Sequence, residues 1–229
     1  MNKNPKQILI ELDHNFKNNF KSWNGILDPK IEKVFLGLEC VAAIGQILEA
    51  NRKYKHHDIC CKIYDEIFAD GVSAIYFATI AMDKPARIVL RRMLELGVAS
   101  VYLWDMPHMV YSWKSHDQDL SFSEMLNHIC SKGFLSYIKT ENIYDKEIKL
   151  LSKSRCQEIY GDLSDVVHGK ISTFESVVPD RFKFIDSDWR EFVVLIEEII
   201  IILVKFFIER FNLSEDLFRE VPRAKIEFK

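Results

Sequence analysis

Apolar residues recur along most of the chain three or four positions apart, as on one face of a helix, and no segment alternates at strand spacing. With only 8 Gly and 6 Pro, the chain lacks the many tight turns of a β-sandwich. The pattern therefore predicts an all-α fold of about seven helices around two central ones. We expect one all-helical domain over residues 1–229, with its core at about 29–212.

The two ends of the chain and one connection show weaker patterns. The segment from Pro5 to Ser22 is typical of a helix with a modest apolar stripe. The stripe contains Ile8, Leu9, Leu12, Phe16 and Phe20. Ser121 begins a capping box that predicts a short helix to about Cys130. We expect residues 132–144 to form an irregular link and residues 213–229 a polar tail with at most one helical turn.

The segment from Pro85 to about Trp113 is apolar on nearly all sides when drawn as a helix, which predicts a central helix. Its charged residues are informative for the same reason, because charges inside an apolar environment are costly. Arg91 and Glu95 are four positions apart on one face, so they can pair. Pro107 should kink or end the helix.

The segment 192–208 is almost as apolar as a membrane span, but Glu197, Glu198 and Lys205 interrupt it. Each charge near the middle of a span costs roughly 2.5–3.5 kcal/mol on the insertion scale. We therefore predict a buried core helix or an oligomer interface, and no membrane insertion. The run of four isoleucines from 199 to 202, with two phenylalanines after it, predicts a homodimer.

The segment from Asp145 to Gly169 predicts a helix with a polar edge beside its apolar face. Ser164 and His168 lie on this edge one turn apart, and Gly169 suits the position just after a helix end. One interpretation of His168 is structural, because a protonated imidazole in the last turn is favoured by the helix dipole. The other is functional, since an imidazole exchanges protons near neutral pH.

If the two helices pack together, five side chains should form one polar cluster in an apolar setting. These are Arg91, Glu95, Tyr160, Ser164 and His168. The imidazole could then act as general base or acid while the guanidinium holds a phosphate, which is the chemistry of RNA cleavage by the 2′-hydroxyl. The alternative is a buried structural network in which Glu95 pairs with Arg91 and Ser164 bonds the imidazole.

The composition bears on nucleic-acid binding, on the redox state of the cysteines and on secretion. The net charge of −3 does not mark the whole chain as a nucleic-acid binder, so RNA binding would need a local basic patch. The five cysteines form no Cys-x-x-Cys pair and are odd in number, which favours reduced thiols in a cytoplasmic protein. The N-terminus lacks the apolar run of a signal peptide.

Two histidine-containing segments could bind a metal, and we predict that neither does. No carboxylate or thiol pattern surrounds His56 and His57, so we expect a solvated loop there. His116 with Asp117 and Asp119 resembles part of a metal site, but three such residues in a short loop are common by chance. We expect no metal and no cofactor.

A resemblance rests on two motifs. The stretch Leu90-Arg91-Arg92-Met93-Leu94-Glu95-Leu96 is followed by Tyr160-x-x-Leu163-Ser164-x-x-x-His168-Gly169. Together they resemble a family of bacterial all-helical proteins with an Arg-x-x-x-Glu helix and a Tyr-x-x-Leu-Ser-x-x-x-His-Gly helix. That family is similar to the HEPN superfamily, many of whose members are ribonucleases in toxin–antitoxin, phage-defence and CRISPR systems. The resemblance covers about residues 85–170.

The resemblance implies a HEPN-like helical bundle, a homodimer, and a metal-independent endoribonuclease or RNA-binding effector in phage defence or a toxin–antitoxin system. Typical HEPN ribonucleases place an Arg five to seven residues before the His. Here the nearest arginine before His168 is Arg155, thirteen residues away, which does not fit this spacing. The arginine of the site would therefore have to be Arg91 or Arg92. The alternative is a non-catalytic helical subunit, antitoxin-like or an assembly protein, that binds a protein partner. The acidic balance favours this alternative, since RNA binding prefers basic surfaces.

Overall fold

A computed structural model describes residues 4–23, 29–142, 150–170 and 182–228 of the chain. Within these ranges the backbone forms eleven helices and no strand, which confirms the all-α class. The helices are α1 (Pro5–Trp23), α2 (Pro29–Ala50), α3 (His57–Thr79), α4 (Asp83–Asp105), α5 (Pro107–Lys114), α6 (Phe122–Ile129), α7 (Lys132–Glu141), α8 (Lys153–Val167), α9 (Asp186–Phe211), α10 (Ser214–Glu220) and α11 (Ala224–Glu227).

The central position of α4 is confirmed. It packs against α3, α6, α8 and α9, and its buried residues lie on several sides of the helix. Ile88 and Arg92 are the exposed exceptions between positions 87 and 104. Pro107 separates α4 from α5, because its ring cannot continue the α4 hydrogen bonds. The capping box is also confirmed, since the Ser121 hydroxyl accepts the Glu124 N–H at 3.4 Å.

The predicted polar tail is wrong. Residues 213–228 form α10 and α11, and both helices pack against α2. Five apolar side chains of this segment are buried and recur at intervals of three or four residues. They are Leu213, Leu217, Val221, Ala224 and Phe228. The helical spacing is present in the sequence, but the charged residues between these positions hide it.

The predicted irregular link at 132–144 is also wrong as far as it is described. The Ser131 hydroxyl accepts the Phe134 N–H at 3.2 Å and so caps the start of α7. Phe134 and Ile138, four residues apart, are buried in the core. α8 begins at Lys153, and most of the earlier start predicted for it, residues 145–149, lies outside the described residues.

Most of the apolar run of α9 is buried within the chain itself, and Ile201 and Ile202 are half-buried. Ile199, Ile200, Phe206 and Phe207 are all fully buried. Gly37 of α2 lets Ile200 approach closely, because a Cβ at position 37 would overlap the Ile200 side chain. Among the described residues, no helix is long and apolar enough to cross a membrane. The run therefore gives the homodimer no support, and the homodimer stays a prediction.

Candidate functional site

Three of the five predicted site residues meet where α8 packs against α4. The Arg91 guanidinium donates from Nη2 to the Tyr160 hydroxyl at 2.6 Å and to Glu95 Oε1 at 3.2 Å. The Tyr160 hydroxyl in turn donates to Glu95 Oε1 at 2.7 Å. These three side chains, which we call the α4–α8 clasp, form a closed triangle of hydrogen bonds. Within it the carboxylate of Glu95 balances the positive charge of Arg91.

Aromatic packing holds the clasp in place. The ring of Phe122, the first residue of α6, stacks on Tyr160 with 4.0 Å between centroids and 11° between planes. The Arg91 guanidinium carbon lies 4.9 Å from the Tyr160 centroid, which adds a cation–π contact. The Arg91 and Glu95 side chains are 21% and 33% exposed, so the pair lies at the edge of the core and not inside it.

Ser164 is near the clasp but its hydroxyl bonds elsewhere. Its Oγ donates to the backbone carbonyl of Tyr160, one turn earlier, at 2.6 Å. Such back-bonding to the preceding turn is common for serine inside a helix. The predicted hydrogen bond between Ser164 and the imidazole of His168 does not form; the His168 backbone N–H instead bonds the Ser164 carbonyl at 2.9 Å.

His168 caps the end of α8 and its side chain is exposed. Gly169 follows with φ +63°, as predicted for the residue after a helix end. The Gly169 N–H bonds Val166 O at 3.3 Å and the Lys170 N–H bonds Asp165 O at 3.0 Å, which is the Schellman pattern. Along a helix, eight residues separate His168 from Tyr160 by about 12 Å.

The direction of α8 takes His168 away from the clasp. The contacts of α6 show which end of α4 is which: its first residue, Phe122, stacks on Tyr160 at the clasp. Near the end of α6, the ring centroid of His128 lies 5.3 Å from that of Tyr102, which is near the end of α4. The segment before α8 shares a cavity with Cys130, the residue after α6. α8 therefore runs antiparallel to α4, and His168 lies towards the Asp83 end. Among the described residues, no hydrogen bond or ion pair joins its side chain to the clasp.

The remaining arginines near the predicted site have other partners. Arg92 pairs with Glu66 and Asp70 of α3, about 100° around α4 from Arg91. Arg155, the nearest arginine upstream of His168, donates two hydrogen bonds to Glu198 of α9, at 2.6 and 2.7 Å. The structure thus brings together Arg91, Glu95 and Tyr160, and none of the described arginines makes a hydrogen bond or ion pair with the His168 side chain.

A second polar cluster was missed by the sequence analysis. Asp105 at the end of α4 and Arg210 near the end of α9 form a salt bridge in which both side chains are buried. His56 and His57 are buried beside it, so the predicted solvated loop is wrong. His57 stacks on Trp104 with 3.5 Å between centroids, and His56 Nε2 bonds the Trp104 carbonyl at 3.1 Å.

Burial sets the protonation of this second cluster. Desolvation, together with the neighbouring His56, lowers the pKa of His57 to about 4. A neutral His57 ring can accept the Lys53 N–H at Nδ1, at 3.4 Å. The histidine doublet was the available sequence signal, but only the fold shows that Trp104 and Arg210 surround it.

Thiol and metal chemistry find little support in the described residues. Burial raises the pKa of Cys40 and Cys60 to about 12, so both stay protonated and poorly nucleophilic near neutral pH. Among the described residues, no group of three or more His, Cys, Asp or Glu side chains is arranged to hold a metal ion. His116 has φ +58°, and Asp117 accepts the Ser115 hydroxyl.

Comparisons with protein-family models, with curated proteins and with solved structures find no match to this chain.

Proposed function

We propose that this protein is a non-catalytic helical subunit that acts by binding a partner, and that the α4–α8 clasp is structural. The observation that carries the proposal is the closed triangle of Arg91, Glu95 and Tyr160. The Arg91 amino group that points into the triangle already has a carboxylate and a hydroxyl as partners. A substrate phosphate could bind this Nη2 only by displacing one of these two partners, and Arg91 Nε is buried and has no hydrogen-bond partner.

The surroundings of His168 support the same reading. Asp162 and Asp165 lie on the turns before it, and Lys170 is held by Asp165 at 2.6 Å. A polyanionic RNA strand would meet carboxylates on this helix end, where binding normally requires several Lys and Arg contacts. A helix that presents acidic residues here is better suited to contact a protein.

A second candidate is the RNA-cleaving or RNA-binding HEPN-like effector, in phage defence or a toxin–antitoxin system, that the resemblance implies. One observation favours it: the imidazole of His168 is exposed and open to solvent at the end of α8. In that case a rearranged Arg91, or an arginine of a second subunit, would hold the phosphate.

The two candidates are separated by incubating purified protein with mixed RNAs without metal, beside a His168→Ala variant. The proposed role predicts that wild type and variant leave the RNA equally intact. The variant should also melt close to wild type, because an exposed ring contributes little to stability. RNA cleavage by wild type that is lost in a fully folded His168→Ala variant would overturn the proposed role in favour of the ribonuclease.

A further inference from the structure

Only part of the apolar stripe of α1 is covered by the rest of the described chain. The covered part is its second half. There the ring centroids of Phe16 and Phe182 are 5.9 Å apart, and those of Trp23 and Trp189 are 5.7 Å apart. Asn19 fixes this half by donating to the carbonyls of Ile80 and Phe182, at 3.0 and 2.8 Å. The helix therefore has a well-anchored second half.

The first half of α1 continues the same stripe into solvent. Ile8 is 44% exposed and Leu9 67% exposed, and Leu12 follows on the same side. At 100° per residue, these three side chains lie on the arc that Phe16 continues towards the covered half. A partner that covered this part of the stripe would remove its apolar side chains from water, which favours association.

A second exposed apolar patch lies where the second half of α1 meets α3. The Phe20 ring of α1 is 39% exposed and lies 6.3 Å from Tyr76 of α3. From Tyr76, the exposed side chains Val72 and Phe68 continue at intervals of four residues along one face of α3. Exposed apolar patches of this kind are typical of association sites.

The charges beside the stripe indicate which partner it takes. Lys6 and Asp13 are seven residues apart, so they occupy the same edge of the stripe, two turns from each other. Within the chain the exposed Asp13 carboxylate accepts Lys17 Nζ at 2.7 Å, and its second oxygen can accept another lysine. When two identical helices pair antiparallel about a two-fold axis, the same edge of each helix meets the same edge of the other. With the axis near Leu9, Lys6 faces Asp13 of the partner subunit, and the reverse contact forms by symmetry.

We propose that two copies of this chain associate through the first halves of their α1 helices, paired antiparallel. Leu9 and Leu12 form the apolar seam, and two symmetric Lys6–Asp13 ion pairs set the direction and register. The spacing of these two charges is self-complementary, which favours a second copy over the helix of another protein. The proposal rests on the partner-binding role proposed above and identifies a second copy of the chain as one such partner.

The test is sedimentation equilibrium of the full chain at tens of micromolar. Wild type should sediment as a dimer of the 26.9 kDa chain. Lys6→Glu and Asp13→Lys should each weaken the dimer by about tenfold or more, since each places like charges opposite one another twice. Leu9→Glu should give monomer. An equimolar mixture of Lys6→Glu with Asp13→Lys should restore dimers, because every contact in the mixed dimer joins opposite charges.

The matched control is Lys21→Glu, which makes the same charge change on α1 away from the stripe and should leave the dimer intact. Circular dichroism of each variant confirms that α1 remains helical. A monomeric wild type, or equal effects of Lys6→Glu and Lys21→Glu, or a mixture that stays monomeric, would overturn the proposal. The RNA assay is independent of these outcomes, so the non-catalytic role can stand or fall separately.

Discussion

Asp105 and Arg210 form a salt bridge whose two side chains are 5% and 7% exposed, although they come from the ends of different helices. Arg210 Nε donates to Asp105 Oδ2 at 2.8 Å, and Nη2 donates to the other carboxylate oxygen. The bidentate geometry satisfies both carboxylate oxygens, which is the condition under which a buried ion pair is tolerated. This pair ties the end of α4 to the end of α9.

Asp105→Ala should destabilise the protein by about 3–5 kcal/mol, because it leaves a buried guanidinium without its counter-charge. The measurement is urea unfolding followed by circular dichroism. Glu66→Ala, which removes an exposed partner of Arg92, is the control and should cost under about 1 kcal/mol. The double variant Asp105→Leu/Arg210→Met should regain most of the loss, and a double variant as unstable as Asp105→Ala would contradict this account.

His57 should make the stability depend on pH between about 6.5 and 4. Its pKa is about 4 in the folded chain and 6.5 ordinarily, so the unfolded chain binds more protons in this window. The free energy of unfolding should therefore fall as the pH falls, by up to about 3 kcal/mol from this residue.

The measurement is urea unfolding at several pH values for wild type and His57→Phe, which keeps an aromatic ring against Trp104. The variant should show a clearly shallower loss of stability between pH 6.5 and 4, as fixed by the two pKa values of His57. His14→Gln, at an exposed position of α1, should keep the wild-type slope. Equal slopes for all three proteins would rule out a buried, neutral His57.

Tyr160→Phe should weaken the α4–α8 clasp without disturbing the aromatic stack. The variant loses the hydroxyl that accepts from Arg91 and donates to Glu95 but keeps the ring on Phe122. We expect a loss of about 1–2 kcal/mol in thermal or urea unfolding. This is smaller than for a fully buried charge pair, because Arg91 and Glu95 are partly exposed.

Tyr111→Phe removes a hydroxyl from an exposed tyrosine and is the matched control, with no expected change. A double-mutant cycle of Tyr160→Phe with Glu95→Gln then measures the coupling within the clasp. Strictly additive effects would show that the triangle contributes nothing beyond its separate parts.

Gly169→Ala should cost about 1 kcal/mol, because residue 169 has φ +63° and a Cβ is disfavoured there. Gly133→Ala is the control, since Gly133 lies in α7 with open space around its Cα. Alanine there should be neutral or stabilising by up to about 1 kcal/mol. Thermal melting of both variants gives the comparison, and an equal shift in both would argue against strain at position 169.

Local signals in the sequence predicted the class of fold and several helix ends correctly. Ser121, Pro107 and Gly169 act through their own backbone neighbours, so their effects can be inferred without the fold. Burial at residues 213–228 and at His56 and His57 depends on α2, Trp104 and Arg210. These contacts join distant parts of the chain. Judged by composition alone, both segments were expected to be exposed to solvent.

The candidate site was predicted only in part for the same reason. Arg91 and Glu95 are one turn apart on a single helix, and their pairing follows from that spacing. The approach of Tyr160 was inferred from a conditional packing of two helices, and the structure has that packing. The position of His168 could not be inferred, because it depends on the direction in which α8 runs along α4.

The packing of Leu213–Phe228 on α2 has a consequence for synthesis of the chain. α2 leaves the ribosome well before the residues that cover one of its sides are translated. During most of translation this side of the nascent helix is bare and open to chaperones or to misplaced apolar segments. Ribosome-bound chains stalled before Leu213 should therefore be protease-sensitive at α2, and chains from which Phe228 has emerged should be resistant.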